Sequence, residues 1–549
     1  MKRTLALFMA LVMLLGVTAC GKDGKSEKTP QTTTATAIST TASTTGTTAT
    51  ESTDGTTEGS SSATETSLAT TTGSHSTVTV TVPSSSATKA PTTTAPTKPA
   101  VKAKLNGVSL SEYTIVYGEE ALDYTDRAAT YIRTEIYART GAYLDIVTDD
   151  TTPTKHEIVV GETNRSISKA LNAKTEGLEF SLMAKDGHVA MEGDYFIIAA
   201  AAYYFVATYI GGTTSNTAVP TKATVCAPVQ EKPDNFIFLI GDGMGVNHTL
   251  LPNEYNHDRF DSDAVDANNF TDGENFFYGY LFPNQGTART HNVYGQVTDS
   301  AASATALATG YKTSNGRIGK DKDKNNLKSL TELAGDLGMA TAIMSTEGQS
   351  GATPGGFSAH QDARDMYDEI KADQAAMTEK YGTIIKANFD HYTGLGIKYT
   401  IEPAITKTLD ELNQNEKGFF MMYEEAFIDK HSHNREKEKA TWAVFRFNQA
   451  IALFMEFAFY HPNTFILITA DHETGSLTDM GGVLTYGTGD HSDRVVPVFA
   501  YGMGTEVFDG QEIENVQIPK TIAKMWGQTL ASSILHQPVS QSPHKEIDW

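Results

Sequence analysis

Residues 235–245 read Asn-Phe-Ile-Phe-Leu-Ile-Gly-Asp-Gly-Met-Gly, a mostly apolar run that passes directly into glycines around one carboxylate, Asp242. Similar apolar runs lie at residues 340–344, 418–423, 464–469 and 495–501, with helical patterns between them. Short apolar strands that alternate with helices are typical of a largely parallel sheet covered on both faces. We therefore predict an α/β fold for residues 234–549, with ligands bound beyond the carboxyl ends of its strands.

The overall charge narrows the classes of function. The 549 residues include 43 Lys and Arg against 66 Asp and Glu, which gives a formal net charge of −23. Affinity for nucleic acid comes mostly from Lys and Arg that neutralise phosphates, so this balance excludes a dedicated nucleic-acid binder. The chain has two cysteines, Cys20 and Cys226, which rules out a disulfide framework.

The first 20 residues have the layout of a secretory signal peptide. A basic start at Lys2 and Arg3 precedes an apolar run at residues 5–17, which is too short to span a bilayer well. The small residues before Cys20 resemble the lipobox of bacterial lipoproteins, in which the cysteine is lipidated. We therefore expect a lipid anchor at Cys20 and a location at the bacterial cell surface, with ordinary secretion and an incidental cysteine as the alternative.

Residues 21–100 are about half Ser and Thr and contain almost no large apolar side chains. Such a segment cannot bury enough apolar surface to offset its conformational entropy. We expect a disordered stalk that holds the folded part away from a membrane.

Residues 101–228 have the pattern of a small α/β unit that precedes the larger one. A helix with Ile132 and Ile136 on one face is followed by short strands, by two strands around the turn Asp186-Gly187, and by a second helix. This order resembles the accessory domain found ahead of the catalytic domain in several glycoside hydrolase families. The resemblance implies contact with cell wall or glycan, whereas a packing or spacer domain is the plainer interpretation.

A serine and several acid–imidazole pairs follow the predicted strands of the larger unit. Ser300 lies in Thr-Asp-Ser-Ala-Ala-Ser-Ala-Thr-Ala, residues 298–306, at the start of an alanine-rich helix. Free backbone N–H groups and the helix dipole would favour a phosphoryl group there, although an N-cap serine is the structural alternative. Asp429 and His433 stand at i and i+4 on one face of a helical turn.

Three further ligand candidates complete the pattern. Asp471-His472 closes one predicted strand, and His491 precedes another. Three sets of carboxylate and imidazole at strand ends, together with Asp242, predict a cluster of divalent-metal sites. Nitrogen and oxygen ligands suit zinc, and an all-oxygen site suits magnesium.

Five short motifs occur in the order found in alkaline phosphatases, and residues 234–505 resemble that family. The motifs are Asp-Gly-Met-Gly (242–245), the serine motif at 298–306, Ala-Thr-Pro (352–354), Asp-Lys-His-Ser-His (429–433) and Thr-Ala-Asp-His (469–472). The resemblance implies a three-layer α/β domain with a mostly parallel central sheet, preceded by the small accessory domain. It also implies that Ser300 is the nucleophile that becomes phosphoserine and that Arg364 clamps the phosphoryl group.

The resemblance further implies two Zn²⁺ and one Mg²⁺. The ligands carried over are Asp429, His433 and His491 for the first zinc, Asp242, Asp471 and His472 with Ser300 for the second, and Asp242, Thr353 and Glu424 for magnesium. Zinc would lower the pKa of a bound serine hydroxyl, and the planar, permanently charged guanidinium of Arg364 would hold two phosphoryl oxygens.

This sequence departs from the family pattern at Gly351, where the family usually has Asp or His two residues before Thr353. That departure leaves the third metal open, whereas Lys430 matches the lysine of the bacterial form. Short segments between the motifs predict an open site and leave dimerisation open. We also expect Asp299 to position Arg364 through a salt bridge.

These observations predict metal-dependent hydrolysis of small phosphate monoesters at the cell surface, with membrane contact through the lipid anchor. A phosphodiesterase or sulfatase on the same fold is one alternative. A glycan-binding surface protein with an inactive phosphatase-like domain is another.

Overall fold

The structure is a computed structural model that describes residues 101–254, 276–388 and 401–530. The predicted signal peptide with Cys20 and the predicted stalk lie outside the described residues. These residues belong to one compact unit. No helix among them combines the length and the apolar character needed to cross a bilayer.

Residues 101–226 form a small sheet region. Its elements are β1 (Lys104–Leu105), β2 (Val108–Ser109), β3 (Thr114–Tyr117), α1 (Asp123–Thr140), β4 (Ile146–Thr148), β5 (Glu157–Val160), α2 (Ser166–Ala170), β6 (Phe180–Lys185), β7 (His188–Glu192), α3 (Ile198–Tyr209), β8 (Asn216–Thr217) and β9 (Thr224–Cys226). Six strands pair in the order β4-β3-β5-β7-β6-β9, and β6 runs antiparallel to both of its neighbours. The predicted amphipathic helix is α1, whose Ile132 and Ile136 are fully buried. We call this six-stranded sheet the small sheet.

The remaining residues form the large sheet and its helices. These elements are β10 (Asn235–Gly241), β11 (Asn284–Arg289), α4 (Ser300–Thr309), α5 (Leu330–Leu337), β12 (Ala340–Ser345), α6 (Ala352–Ser358), α7 (Tyr367–Tyr381), β13 (Ile384–Lys386), α8 (Glu402–Leu412), β14 (Phe419–Glu425), α9 (Phe427–His433), α10 (Lys437–Tyr460), β15 (Thr464–Thr469), β16 (Glu473–Thr474), β17 (Thr478–Asp479), β18 (Leu484–Thr485), β19 (His491–Ser492), β20 (Val496–Tyr501), β21 (Glu512–Glu514) and α11 (Gln517–Met525). The strand order is β13-β12-β14-β10-β15-β20-β11-β21. Only β20 opposes its neighbours among these described strands, so the predicted mostly parallel sheet is confirmed.

The register of the large sheet brings the candidate site together. Every residue of β10 is buried, as expected for a central strand covered on both faces. Ile240 of β10 pairs with Glu424 of β14 on one side and with Thr469 of β15 on the other. The residues that follow these strand ends therefore emerge side by side. We call this edge of the large sheet the carboxyl edge.

Helix α10, which contains the predicted core helix at residues 444–460, packs against the small sheet region. The rings of Phe459 and Phe196 stack with centroids 6.1 Å apart, and Arg127 Nη2 lies 2.7 Å from Glu456 Oε2. One hydrophobic core contains buried side chains of both regions. An accessory role for residues 101–228 stays a prediction.

Candidate metal centre and nucleophile

Ser300 begins helix α4 beneath the carboxyl edge and is 3% exposed. The N-cap of this helix is Asp299, whose carboxylate accepts a hydrogen bond from the Ala302 amide at 3.0 Å. The structural alternative for Ser300, an N-cap role, is therefore wrong. The Ser300 hydroxyl instead faces His472, with 3.1 Å between Oγ and Nε2.

The glycine-rich turn after β10 places Asp242 close to the other ligand candidates. Gly243 has a φ of 72°, and a Cβ there would lie 2.8 Å from the Cα of Asp429. Glycine therefore permits both the left-handed backbone and the close approach. The Gly243 amide also donates to Asp471 Oδ1 at 3.1 Å, which ties the turn to the end of β15.

The side chains of Asp429, His433 and His491 converge, with potential ligand atoms all within 4.8 Å of one another. The Nε2 atoms of His433 and His491 are 3.1 Å apart. His433 Nε2 lies 3.4 Å from Asp429 Oδ2, and His491 Nε2 lies 3.5 Å from Asp429 Oδ1. His491 Nδ1 lies 3.0 Å from the Thr298 carbonyl, and His433 Nδ1 lies 2.6 Å from the Gly489 carbonyl. Donation from both Nδ1 atoms leaves the Nε2 lone pairs directed at the cluster, which is the usual support for metal-binding imidazoles.

A second group forms around His472, which is fully buried. Its Nε2 lies 3.4 Å from Asp242 Oδ1 and 3.3 Å from Asp471 Oδ2. Asp242, Asp429 and His472 also satisfy the spacing needed to share one ion. Two predicted ligands of the second zinc, Asp242 and His472, therefore meet there with Asp429, next to Ser300 Oγ. The third predicted ligand, Asp471, lies against His472 but outside that group.

Within residues 101–254, 276–388 and 401–530, four buried oxygens at the carboxyl edge have no hydrogen-bond partner, namely Asp242 Oδ1, Asp471 Oδ2, Thr353 Oγ1 and Glu424 Oε1. Buried polar atoms are nearly always paired in native proteins. Carboxylate, hydroxyl and imidazole groups are the ligands that Zn²⁺ and Mg²⁺ use. The residues present therefore fit a cluster of divalent cations.

The electrostatics of the cluster agree with this fit. Burial and the neighbouring carboxylates raise the pKa of Asp242 well above its usual range, that of Glu424 to about 8 and that of Asp471 to about 6. Burial opposes ionisation of Asp429, but its contacts with the imidazoles of His433 and His491 hold its pKa well below the usual value. The Asp429 contact raises the pKa of His433 to about 9. So many buried acids favour positive charge between them.

The predicted phosphate clamp lies at the mouth of the site. Arg364 Nη1 is 3.2 Å from Asp299 Oδ2, the salt bridge expected from the sequence, and the arginine side chain is 43% exposed. Asp299 therefore holds one side of the Arg364 guanidinium group, while solvent can reach that group. Two other histidines near the motifs lie in hydrogen-bonding positions, His360 at 3.2 Å from Glu332 and His431 at 3.2 Å from Glu436.

The sequence motifs did not indicate two residues that contact the site, Thr474 and Glu347. The Thr474 hydroxyl donates to Asp429 Oδ1, and Glu347 Oε2 pairs with the ammonium of Lys430. Both contacts join residues more than 40 positions apart, so no local pattern marks them. The glycine at 351 was a signal for Glu347, because the missing side chain left space that another residue could fill.

A family model described as "Alkaline phosphatase" matches residues 233–400 and 397–489. "Alkaline phosphatase 4" of Bacillus subtilis (strain 168) is 29% identical over 304 residues, which are 46% of this chain and 64% of that protein. The alkaline phosphatase of Escherichia coli (strain K12) is 25% identical over 401 residues, 53% of this chain and 81% of that protein. The solved alkaline phosphatase from the Antarctic bacterium TAB5 matches with a TM-score of 0.46 and 25% identity, over 54% of this chain and 98% of that one. The match to the Bacillus relative thus spans slightly less than two thirds of its length.

Proposed function

The chain belongs to the alkaline phosphatase family through residues 233–489, and on this premise we propose that it hydrolyses phosphate monoesters through a phosphoserine at Ser300. The observation that carries the proposal is the position of Ser300 Oγ, 3.1 Å from His472 Nε2 within the group of converging metal-ligand candidates. No general base of the serine-hydrolase kind is needed if cations activate the hydroxyl.

The residues proposed to hold the cations are those carried over from the family motifs, and the convergence of their side chains supports the proposal. Asp429, His433 and His491 would hold one Zn²⁺, Asp242, Asp471 and His472 another, and Asp242, Thr353 and Glu424 one Mg²⁺. When bound, the ions supply positive charge that favours the ionised Ser300 hydroxyl and balances the charge of the phosphoryl group.

The chain itself binds and orients the ester. Arg364 donates to two phosphoryl oxygens while Asp299 holds its guanidinium. Backbone amides in the first turn of α4 add partial positive charge at the same place. Ser300 Oγ loses its proton to solvent and forms a bond to phosphorus while the bond between phosphorus and the ester oxygen breaks. The departing alkoxide takes a proton from solvent and leaves as the alcohol. Water then cleaves the phosphoserine and releases inorganic phosphate, which restores the serine.

Activity measurements test this function. Ser300→Ala is expected to abolish turnover of an aryl phosphate, as is removal of metal with EDTA, and the exposed Ser111→Ala serves as the matched serine control. An enzyme that survived both treatments would contradict the mechanism. Turnover rates on phosphate monoesters, phosphodiesters and sulfate esters distinguish the proposed activity from that of a phosphodiesterase or a sulfatase. The exposed arginine fork and the predicted full metal set favour the dianionic monoester.

We also propose, from the sequence pattern before Cys20, that the protein is anchored by lipid at the bacterial cell surface. Cys20→Ser should move it from the membrane fraction to the soluble fraction. Retention in the membrane fraction would reject the anchor.

A further inference from the structure

The position that departs from the family pattern, Gly351, is filled by another side chain. A Cβ at Gly351 would lie 1.8 Å from Oε1 of Glu347 and 2.4 Å from its carboxyl carbon. The backbone of Gly351 has φ −57° and ψ 163°, which any residue can adopt. Glycine at 351 therefore leaves the space that the Glu347 side chain occupies, and a larger residue there would have to displace that side chain.

Glu347 is held in this place by a contact of its carboxylate and by contacts of its backbone. Its Oε2 pairs with the Lys430 ammonium, and its side chain is 18% exposed. The backbone is fixed as well, because the Glu347 amide donates to Ser345 Oγ at 3.0 Å and the Glu347 carbonyl accepts from the Asn388 amide at 2.8 Å. The Ser345 hydroxyl in turn donates to Glu424 Oε2, so one hydrogen-bonded chain joins Glu347 to a predicted magnesium ligand.

Two predicted magnesium ligands have oxygens without hydrogen bonds. Thr353, two residues after Gly351, and Glu424 are both fully buried, and Thr353 Oγ1 and Glu424 Oε1 have no hydrogen-bond partner among the residues that the structure describes. A set of carboxylate and hydroxyl oxygens with little nitrogen suits a hard cation such as Mg²⁺.

We propose that Glu347 replaces the side chain missing at residue 351 and supplies the anionic group of the third cation site, with Lys430 as its positioning partner. The inference rests on the metal set of the proposed function. It assigns to this chain a third-site residue that lies four positions before the one the family motif marks. A glycine at 351 is then needed only while Glu347 occupies this space, and Glu347 can occupy it only while residue 351 is small.

Titration of Mg²⁺ into the zinc-loaded full-length chain tests the assignment without reference to turnover. Glu347→Gln keeps the side-chain volume and should weaken Mg²⁺ binding about 10- to 100-fold, the range found when groups that support a metal are removed. Zinc content and melting temperature should not change. Glu369→Gln, which removes the same charge from an exposed position on α7, is the matched control and should bind Mg²⁺ as the natural chain does.

A pair of substitutions tests the dependence between the two positions. Gly351→Asp alone should lower the melting temperature, because its Cβ meets the Glu347 carboxylate. Combined with Glu347→Ala it should be tolerated and should restore Mg²⁺ affinity to within about threefold of the natural chain, a difference of about 0.7 kcal/mol. Glu347→Ala alone should not bind Mg²⁺ at that affinity.

Two results would overturn the inference. One is unchanged Mg²⁺ affinity in Glu347→Gln, and the other is a natural chain that binds no cation beyond its zinc. Failure of the proposed function has a different signature, namely Mg²⁺ binding that depends on Glu347 in a protein that hydrolyses no phosphate monoester.

Discussion

The small sheet and the large sheet both bury acidic side chains, but the acids of the two regions differ in their hydrogen-bond partners. In the small sheet region, the buried Glu157 accepts from Arg165 Nε at 3.2 Å and from the Thr154 amide at 2.9 Å, and the partly buried Glu192 accepts from Ser168 Oγ at 3.0 Å. At the carboxyl edge, Asp242, Asp471 and Glu424 each retain a buried oxygen that has no hydrogen-bond partner in the described part of the chain. A buried acid with partners has a structural role, whereas several buried acids that lack them and face one another indicate a site for cations.

The largest expected effect concerns the carboxyl edge. Asp429→Asn removes the carboxylate that contacts both His433 and His491, so we expect loss of zinc and a fall in kcat/KM that exceeds the roughly 100-fold loss typical of residues that only orient a metal ligand. Zinc content and steady-state kinetics measure it. Asp368→Asn is the control, because the Asp368 side chain is 97% exposed. Full zinc content in Asp429→Asn would contradict the conclusion that the acids at the carboxyl edge form a cation site.

The acids of the small sheet should instead affect stability. Arg165→Met leaves Glu157 buried without its ion-pair partner, which should reduce the free energy of unfolding by about 3–5 kcal/mol. Denaturant unfolding measures this loss, and kcat/KM of the folded variant should equal that of the natural chain. The double substitution Glu157→Leu with Arg165→Met should recover much of the stability. Loss of activity without loss of stability would contradict the structural role.

The smallest effect is a change in pH dependence at Glu192. Burial and the nearby charges of Glu162 and Asp194 raise the pKa of Glu192 to about 7, against 4.5 for an exposed glutamate. Because the folded state binds this proton more tightly, the natural chain should lose stability as the pH rises from about 4.5 to about 7.

Glu192→Gln removes that titration and can still accept from Ser168 Oγ. Above pH 7 we expect it to be more stable than the natural chain by about 1 kcal/mol, since solvent screening reduces the effect at a partly exposed group. Below pH 4.5 the two proteins should be equally stable. Melting temperatures at pH 4 and pH 8 check this, and a variant that is less stable at pH 8 would refute the assignment.

Much of the large sheet could be predicted from the sequence because its signals are local. The apolar run at 235–240 ends directly at Asp242, and parallel strands bring their carboxyl ends to one edge, so ligands far apart in the chain could be expected to meet. The salt bridge between Asp299 and Arg364 was also predicted from the motifs. Spacing alone sufficed for Asp429 and His433, which share one helical turn.

Other features depend on contacts that no local pattern records. Asp299 caps helix α4, and this leaves the Ser300 hydroxyl free to face His472. That arrangement depends on α4 beginning at Ser300 and not one residue later. Glu347 enters the site only because Gly351 leaves space for it. The pairing of Glu157 with Arg165 likewise forms through a loop whose path is set by tertiary packing.

The central claim is that Ser300 forms a covalent bond to phosphorus. The most direct measurement is to mix the metal-loaded full-length chain with a phosphate monoester, quench in acid during turnover and locate phosphate on the digested peptides by mass spectrometry. Phosphate is expected on Ser300 in the natural chain and on no peptide of Ser300→Ala. Continued hydrolysis by a chain in which Ser300 is never phosphorylated would contradict it.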